Sequence, residues 1–305
     1  MRLSPRSVTL LAWVAGLGVP AWGQPTVTNL GTLSGGSFSS ASGVSGDGLV
    51  VVGTSGMRAF RWTMAGGMQD LGVIPGGDLS REPGVSGDGA VVVGEGNITG
   101  VGSRAFRWTA GTGMLDVGPV GFVSPTYGYG ASGDGSSVVG TGYTSALVGY
   151  RGFRWTSAGT QDVGALMVGG ESFARGISGD GSVLIGSSRL NTTFGGIRAF
   201  RWTNPGGMQS LGTLGGDSFG NGVSGDGAVV VGYSVVANFD RAFRWSAGAG
   251  MTDLGVLAGG FASSALATNA DGAGVVGTAS NSFGQSRAVL WTQALGLVDL
   301  NTYLP

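Results

Sequence analysis

Cysteine, histidine and lysine are all missing from this 305-residue sequence. Without cysteine, an exported fold has to be held by its core rather than by disulfides, and the chain is long enough to bury one. The same absences remove the usual imidazole and amine bases and the thiol nucleophile. Charge is scarce as well: 11% of residues are charged, and all sixteen basic residues are arginine. Eleven of these lie in a recurring motif and two in the first six residues, which leaves Arg81, Arg175 and Arg189 elsewhere. No basic patch is left over from the motif, so nucleic acid is not an expected partner. No segment approaches the ~20 consecutive apolar residues of a membrane-spanning helix, so no integral membrane span is expected either.

The first 23 residues read as a secretory signal peptide. Arg2 and Arg6 make a basic start, Val8 to Val19 is an apolar stretch too short to span a bilayer comfortably, and Ala21-Trp22-Gly23 supplies a small-x-small cleavage site before Gln24. Loss of Arg2 and Arg6 takes the net charge from −1 to −3. The expected mature protein is one repeat domain over residues 24–305, located outside the cell, at its surface or in the periplasm.

What the chain has in excess is glycine, 65 residues, against an average near ~7%. No Gly-X-Y period exists, which excludes collagen, and the alternation of the glycines with Val, Phe and Trp runs disfavours disorder. The glycines follow a longer period. Arg-Ala-Phe-Arg-Trp-Thr or a close variant begins at Arg58, Arg104, Arg151, Arg198, Arg241 and Arg287, at spacings of 46, 47, 47, 43 and 46 residues. A period in this range means a propeller, a solenoid or an array.

Each unit reads as four short strands. The first, typified by Ala41 to Ser45, runs into the hairpin signal Gly46-Asp47-Gly48. The second is an unbroken apolar run such as Leu49 to Gly53, which predicts cover on both faces. The third is the Arg-Ala-Phe-Arg-Trp-Thr motif, and the fourth is Met68 to Gly72 and its counterparts. A four-residue turn, Met64 to Gly67, puts Thr63 opposite Met68 and predicts cross-strand pairs Arg61–Asp70, Arg107–Asp116, Arg154–Asp162 and Arg244–Asp253, structural and partly buried. Four antiparallel strands repeated six times predict an all-β, six-bladed propeller-like fold, with an open β-solenoid as the alternative. A spare copy of the fourth strand, Val27 to Gly31, precedes the first unit as an extra N-terminal strand able to extend the last blade.

The combination of Arg-Ala-Phe-Arg-Trp-Thr, Gly-Gly-Met-Gln-Asp-Leu-Gly and Gly-Val-Ser-Gly-Asp-Gly-x-Val-Val-Val-Gly resembles the HAF repeat of extracellular bacterial proteins, over about residues 27–305. That family is named for a His-Ala-Phe triplet, and arginine stands at the histidine position in every copy here. The resemblance implies export and a repeat-built β fold, and no established reaction.

The recurring aspartates Asp47, Asp88, Asp134, Asp180, Asp226 and Asp271 are read as turn formers. Calcium needs six to eight oxygens and each turn offers one acid, so no metal site is expected. The Phe/Trp pairs, sharing a face at strand period two, are read as inter-blade core rather than as a sugar-stacking strip. Acids that the repeat does not require are the better functional candidates: Asp78, Glu171 and Asp217 share one repeat position, where Ser37 and Phe261 stand in other units. They predict a ligand site on a loop face, rimmed by the inserts at 97–103 and 190–197. The expected function is a binding, adhesion or surface-interaction module for a glycan or protein, without catalysis or cofactor. The alternatives are a purely structural cell-surface or periplasmic protein and a carboxylate-dependent glycan-active enzyme.

Overall fold

The computed structural model describes residues 28–118, 121–144, 149–190 and 196–303; the expected leader lies outside them. The strands form six four-stranded antiparallel sheets, over residues 39–70, 80–116, 123–162, 172–210, 218–253 and 263–299, each pairing its strands in chain order. The sheets are the blades of a β-propeller. First strands of successive blades pack on one another, so the first strand is innermost. Gly43, Gly84, Tyr129, Gly176 and Val223, from five different blades, line one common cavity, which a linear stack would not produce. No helix of the described residues is long and apolar enough to cross a membrane.

The hairpin between first and second strands follows from its Ser-Gly-Asp-Gly sequence. Ser45 Oγ donates to Asp47 Oδ1 at 2.6 Å, the same oxygen accepts from Leu49 N at 3.0 Å, and Val50 N donates to Ser45 Oγ at 3.0 Å. Ser132 with Asp134 and Ser224 with Asp226 repeat the arrangement. Hydrogen bonds from the Ser132 hydroxyl and then the Ser136 amide favour the ionised carboxylate and hold Asp134 down to about 2. Each aspartate is thus the acceptor that closes its own turn.

The apolar second strands are covered on both faces, and five apolar clusters join successive blades from first to sixth. Phe60, Phe106, Phe153, Phe200 and Phe243 are fully buried, and Trp108, Trp202 and Trp245 nearly so. No equivalent cluster joins the sixth blade to the first among the described residues. Val51 and Trp62 on the first blade, and Val276 and Leu290 on the sixth, are only half-buried. The spare segment does not close this seam as a strand. Residues 28–31 are not extended into any sheet, and Leu33 N instead donates to Ser55 Oγ, as Leu166 N does to Ser188 and Leu214 N to Ser234.

The third and fourth strands pair one residue away from the expected register. Phe60 lies opposite Asp70, Arg61 opposite Gln69 and Thr63 opposite Gly67. Arg107 faces Leu115, Arg154 faces Gln161 and Arg244 faces Thr252. The pairs Arg61–Asp70, Arg107–Asp116, Arg154–Asp162 and Arg244–Asp253 therefore do not form. The cause is Gly67, whose φ of 65° makes it the left-handed residue ending a three-residue loop and already paired with Thr63. Gly113 and Gly250 do the same in their blades.

Because a one-residue slip reverses faces, the first arginine of the motif meets the acid instead. Arg104 bonds Asp116 at 3.0 Å, Arg241 bonds Asp253 at 3.1 Å, and Arg287 lies 3.9 Å from Asp299. The acid also caps the next turn, as where Asp70 Oδ1 accepts from Gly72 N at 2.8 Å. The second arginine crosses to the following blade. Arg61, Arg107, Arg201 and Arg244 donate to the carbonyls of Gly89, Gly135, Gly227 and Gly272, and the Arg107 guanidinium lies 5.9 Å from the Trp155 ring centroid. Arg154 departs from this and donates to Ser137 Oγ within its own blade. Double-mutant cycles on denaturant stability should give Arg104–Asp116 a coupling of about 0.5–1 kcal/mol. Arg107–Asp116 should show none, and a coupling of similar size there would contradict the register.

Candidate functional site

Of the three acids singled out in the sequence, Glu171 and Asp217 stand one residue before an innermost strand and Asp78 two residues before one, and each is engaged locally. Asp78 accepts from Asn97 Nδ2 at 2.7 Å. Glu171 receives Tyr150 N at 3.3 Å and Arg189 Nε at 2.8 Å. Asp217 accepts from Ile197 N at 2.9 Å, with Arg198 at 3.7 Å. Glu171 and Asp217 so tie their own blade to the third strand of the one before. Among the described residues the three carboxylates form no single cluster, and none of them lines the cavity between blades four and six, which Glu171 meets only through its bond to Arg189.

The polar and aromatic residues that do converge sit on the innermost strands. In blades two to six this strand carries a buried hydroxyl at or near its start, Ser80, Thr126, Ser172, Ser218 or Ser263, which accepts from an amide of the preceding blade. That position is fixed by the fold. The residues one and three places later vary from blade to blade, and in blades four to six both face one cavity. The first of these positions carries Ser40, Arg81, Tyr127, Phe173, Phe219 and Ser264; the second carries Ser42, Pro83, Tyr129, Arg175, Asn221 and Leu266. Aromatic and charged side chains thus collect at the centre, while the surrounding blades repeat.

Blades four to six line a cavity of about 430 Å³ with Phe173, Arg175, Phe219, Asn221, Tyr233 and Ser264 among others. Phe219 stacks on Tyr233 with ring centroids 4.8 Å apart and planes at 18°. Phe173 lies 5.6 Å from Tyr150. Burial pushes the Tyr233 and Tyr129 hydroxyls up from their ordinary value, so both remain neutral donors at physiological pH.

Of the arginines at the centre, Arg81 and Arg189 are held by carboxylates, while the exposed Glu82 of the second blade's innermost strand makes no ion pair among the described residues. Arg81 bonds Glu95 at 3.0 Å, with Glu95 buried and also receiving Ser103 Oγ at 2.6 Å. Arg189 is held by Glu171. Arg175 differs: it is exposed, has no carboxylate partner among the described residues, and its guanidinium lies 5.6 Å from the Tyr129 ring centroid. It lines both the 430 Å³ cavity and the central cavity shared by five blades. The described residues hold no group of three or more His, Cys, Asp or Glu able to take a metal.

The signal for this site was available in the sequence. Arg81, Arg175 and Arg189 are the only arginines outside both the motif and the leader. Aligning the units on the strand-opening hydroxyl would have exposed the two variable columns.

No family model matches the chain, and no curated protein matches it. Solved structures do. A TolB structure from Agrobacterium tumefaciens is similar at TM-score 0.53 and 17% identity, over 69% of this chain and 78% of that one. Oligogalacturonate lyase from Vibrio parahaemolyticus gives 0.54 and 11%, over 84% and 75%. Puromycin hydrolase gives 0.58 and 14% over 82% of this chain, which spans only 43% of that enzyme. At these identities the likeness is one of fold, and the fold serves binding proteins and enzymes alike.

Proposed function

We propose that the chain is an exported, non-catalytic binding module, with its ligand site at the centre of the propeller on the side of blades four to six. One observation carries this reading: in a scaffold whose blades otherwise repeat, the two variable columns of the innermost strands bring together in a single cavity aromatic rings, polar atoms and one guanidinium that have no partner among the described residues. Packing does not require those side chains, since Ser40 and Ser264 stand where Phe173 and Phe219 do. The basic start, apolar stretch and cleavage site of residues 1–23 support export, and the composite repeat supports assignment to the HAF type. The ordinary ligand of such an opening is a glycan or a protein segment that reaches the axis.

The test is a glycan and peptide array probed with purified 24–305 and with the Phe173→Ser, Phe219→Ser double variant. The variant places at both positions the residue that the first and sixth blades already carry, so its fold should survive. A ligand captured by the wild-type chain and lost in the variant is the expected result. A blank array, or capture unaffected by the double change, would overturn the central site and favour the purely structural reading.

A further inference from the structure

The chemistry of the central cavity selects a ligand class. Two tiers of side chains face it from three adjacent innermost strands: Phe173, Phe219 and Ser264 above, Arg175, Asn221 and Leu266 below. The Phe219–Tyr233 stack gives one wall a flat apolar face, suited to the C–H face of a pyranose ring. Around it lie polar atoms with unused capacity. The Ser187 and Ser264 hydroxyls make no hydrogen bond among the described residues, and Asn221 spends one N–H on Ala265 O at 2.9 Å and leaves its Oδ1 free. A ring that is apolar on its face and hydroxylated at its edge fits that wall better than a peptide, whose backbone would ask for an ordered row of donors and acceptors.

Arg175 adds a charge requirement. It is a single positive charge, since Arg189 across the cavity is neutralised by Glu171 at 2.8 Å. Its planar fork matches a carboxylate with two parallel N–H···O bonds, and one unit of charge is balanced by a monoanion rather than a dianion. We infer that the cavity binds an acidic saccharide, with a uronate carboxylate on Arg175 and the sugar ring against Phe219 and Tyr233. This inference rests on the binding-module reading and narrows it to one ligand chemistry.

Calorimetric titration with a hexuronic acid trisaccharide, its methyl ester and a sulfated neutral trisaccharide tests it. A hydrogen-bonded charge partner contributes roughly 10–100-fold in affinity. The acid should therefore bind at least about tenfold more tightly than the ester, and Arg175→Gln should bring the acid down to the ester's level while leaving the ester unchanged. Arg175 is exposed, so this substitution should not disturb folding, and Arg175→Lys should recover part of the preference. Equal affinity for acid and ester, tighter binding of the sulfated sugar, or a preference that survives Arg175→Gln would each overturn the inference. An array that yields only neutral sugars or peptides, lost on changing Phe173 and Phe219, would overturn it too while leaving the binding module in place.

Discussion

Replacing Gly186 by valine is expected to cost about 3 kcal/mol or more and to abolish the native fold under mild denaturant. Gly186 stands in the second strand of the fourth blade, between Ala174 on one side and Phe200 on the other. The first strand is bulged between Ala174 and Gly176, and the bulge turns the Phe173 carbonyl onto Gly186. A Cβ at Gly186 would overlap that carbonyl oxygen, with the Phe173 carbonyl carbon at 3.0 Å and the Ala174 Cα at 3.1 Å. These are backbone atoms of a buried strand and have no rotamer to yield. The equivalent glycines show the same conflict: a Cβ at Gly140 would meet the Tyr127 carbonyl, and one at Gly232 the Phe219 carbonyl. Alanine already places the offending atom, so Gly186→Ala should be strongly destabilised as well. A urea midpoint for Gly186→Ala equal to wild type would show that the bulge is not as described.

That bulge also separates what the sequence revealed from what it hid. The period, the Ser-Gly-Asp-Gly hairpins and the aromatic core were legible because each is a local pattern repeated in kind: a turn residue with a side-chain acceptor, or an apolar run too continuous for one solvated face. The register between third and fourth strands was not, because it depends on whether Gly67 belongs to the loop or to the ladder. Met64 to Gly67 reads as a four-residue turn. A left-handed glycine that both ends the loop and pairs with Thr63 makes it three, and that single residue moves Asp70 from the face of Arg61 to the face of Phe60. The site was hidden for a different reason. Asp78, Glu171 and Asp217 drew attention as acids at a variable position, yet a carboxylate in a loop is readily absorbed by neighbouring amides, as Asn97, Tyr150 and Ile197 absorb these three. Residues on the innermost strands lack that option, since the ladder occupies the backbone on one side and the axis lies on the other. Side chains there meet one another, an occasional carbonyl of the neighbouring innermost strand, as Asn221 meets Ala265 O, or a ligand.

Ser218→Ala should be the most costly small truncation between the fourth and fifth blades, at about 2 kcal/mol. Ser218 is fully buried; its hydroxyl donates to Gly212 O at 2.6 Å and accepts from Ala199 N of the preceding blade at 3.0 Å. Gly212 is exposed and its carbonyl can turn to water, whereas Ala199 is fully buried and its N–H has no other acceptor among the described residues. The loss therefore falls on one buried donor, and an unmet donor costs more than the net value of the bond it leaves. Threonine should restore most of the stability, because Thr126 makes the same contact with Ala105 N at 3.0 Å between the second and third blades. Hydrogen exchange gives a local readout: the Ala199 amide should lose protection in Ser218→Ala and keep it in Ser218→Thr. Propagation beyond the neighbouring blades should be weak, since each blade packs on its neighbours in sequence and stability in such arrays is close to a sum of nearest-neighbour contributions. Undiminished protection of Ala199 in the alanine variant would mean that the hydroxyl is not what holds this interface.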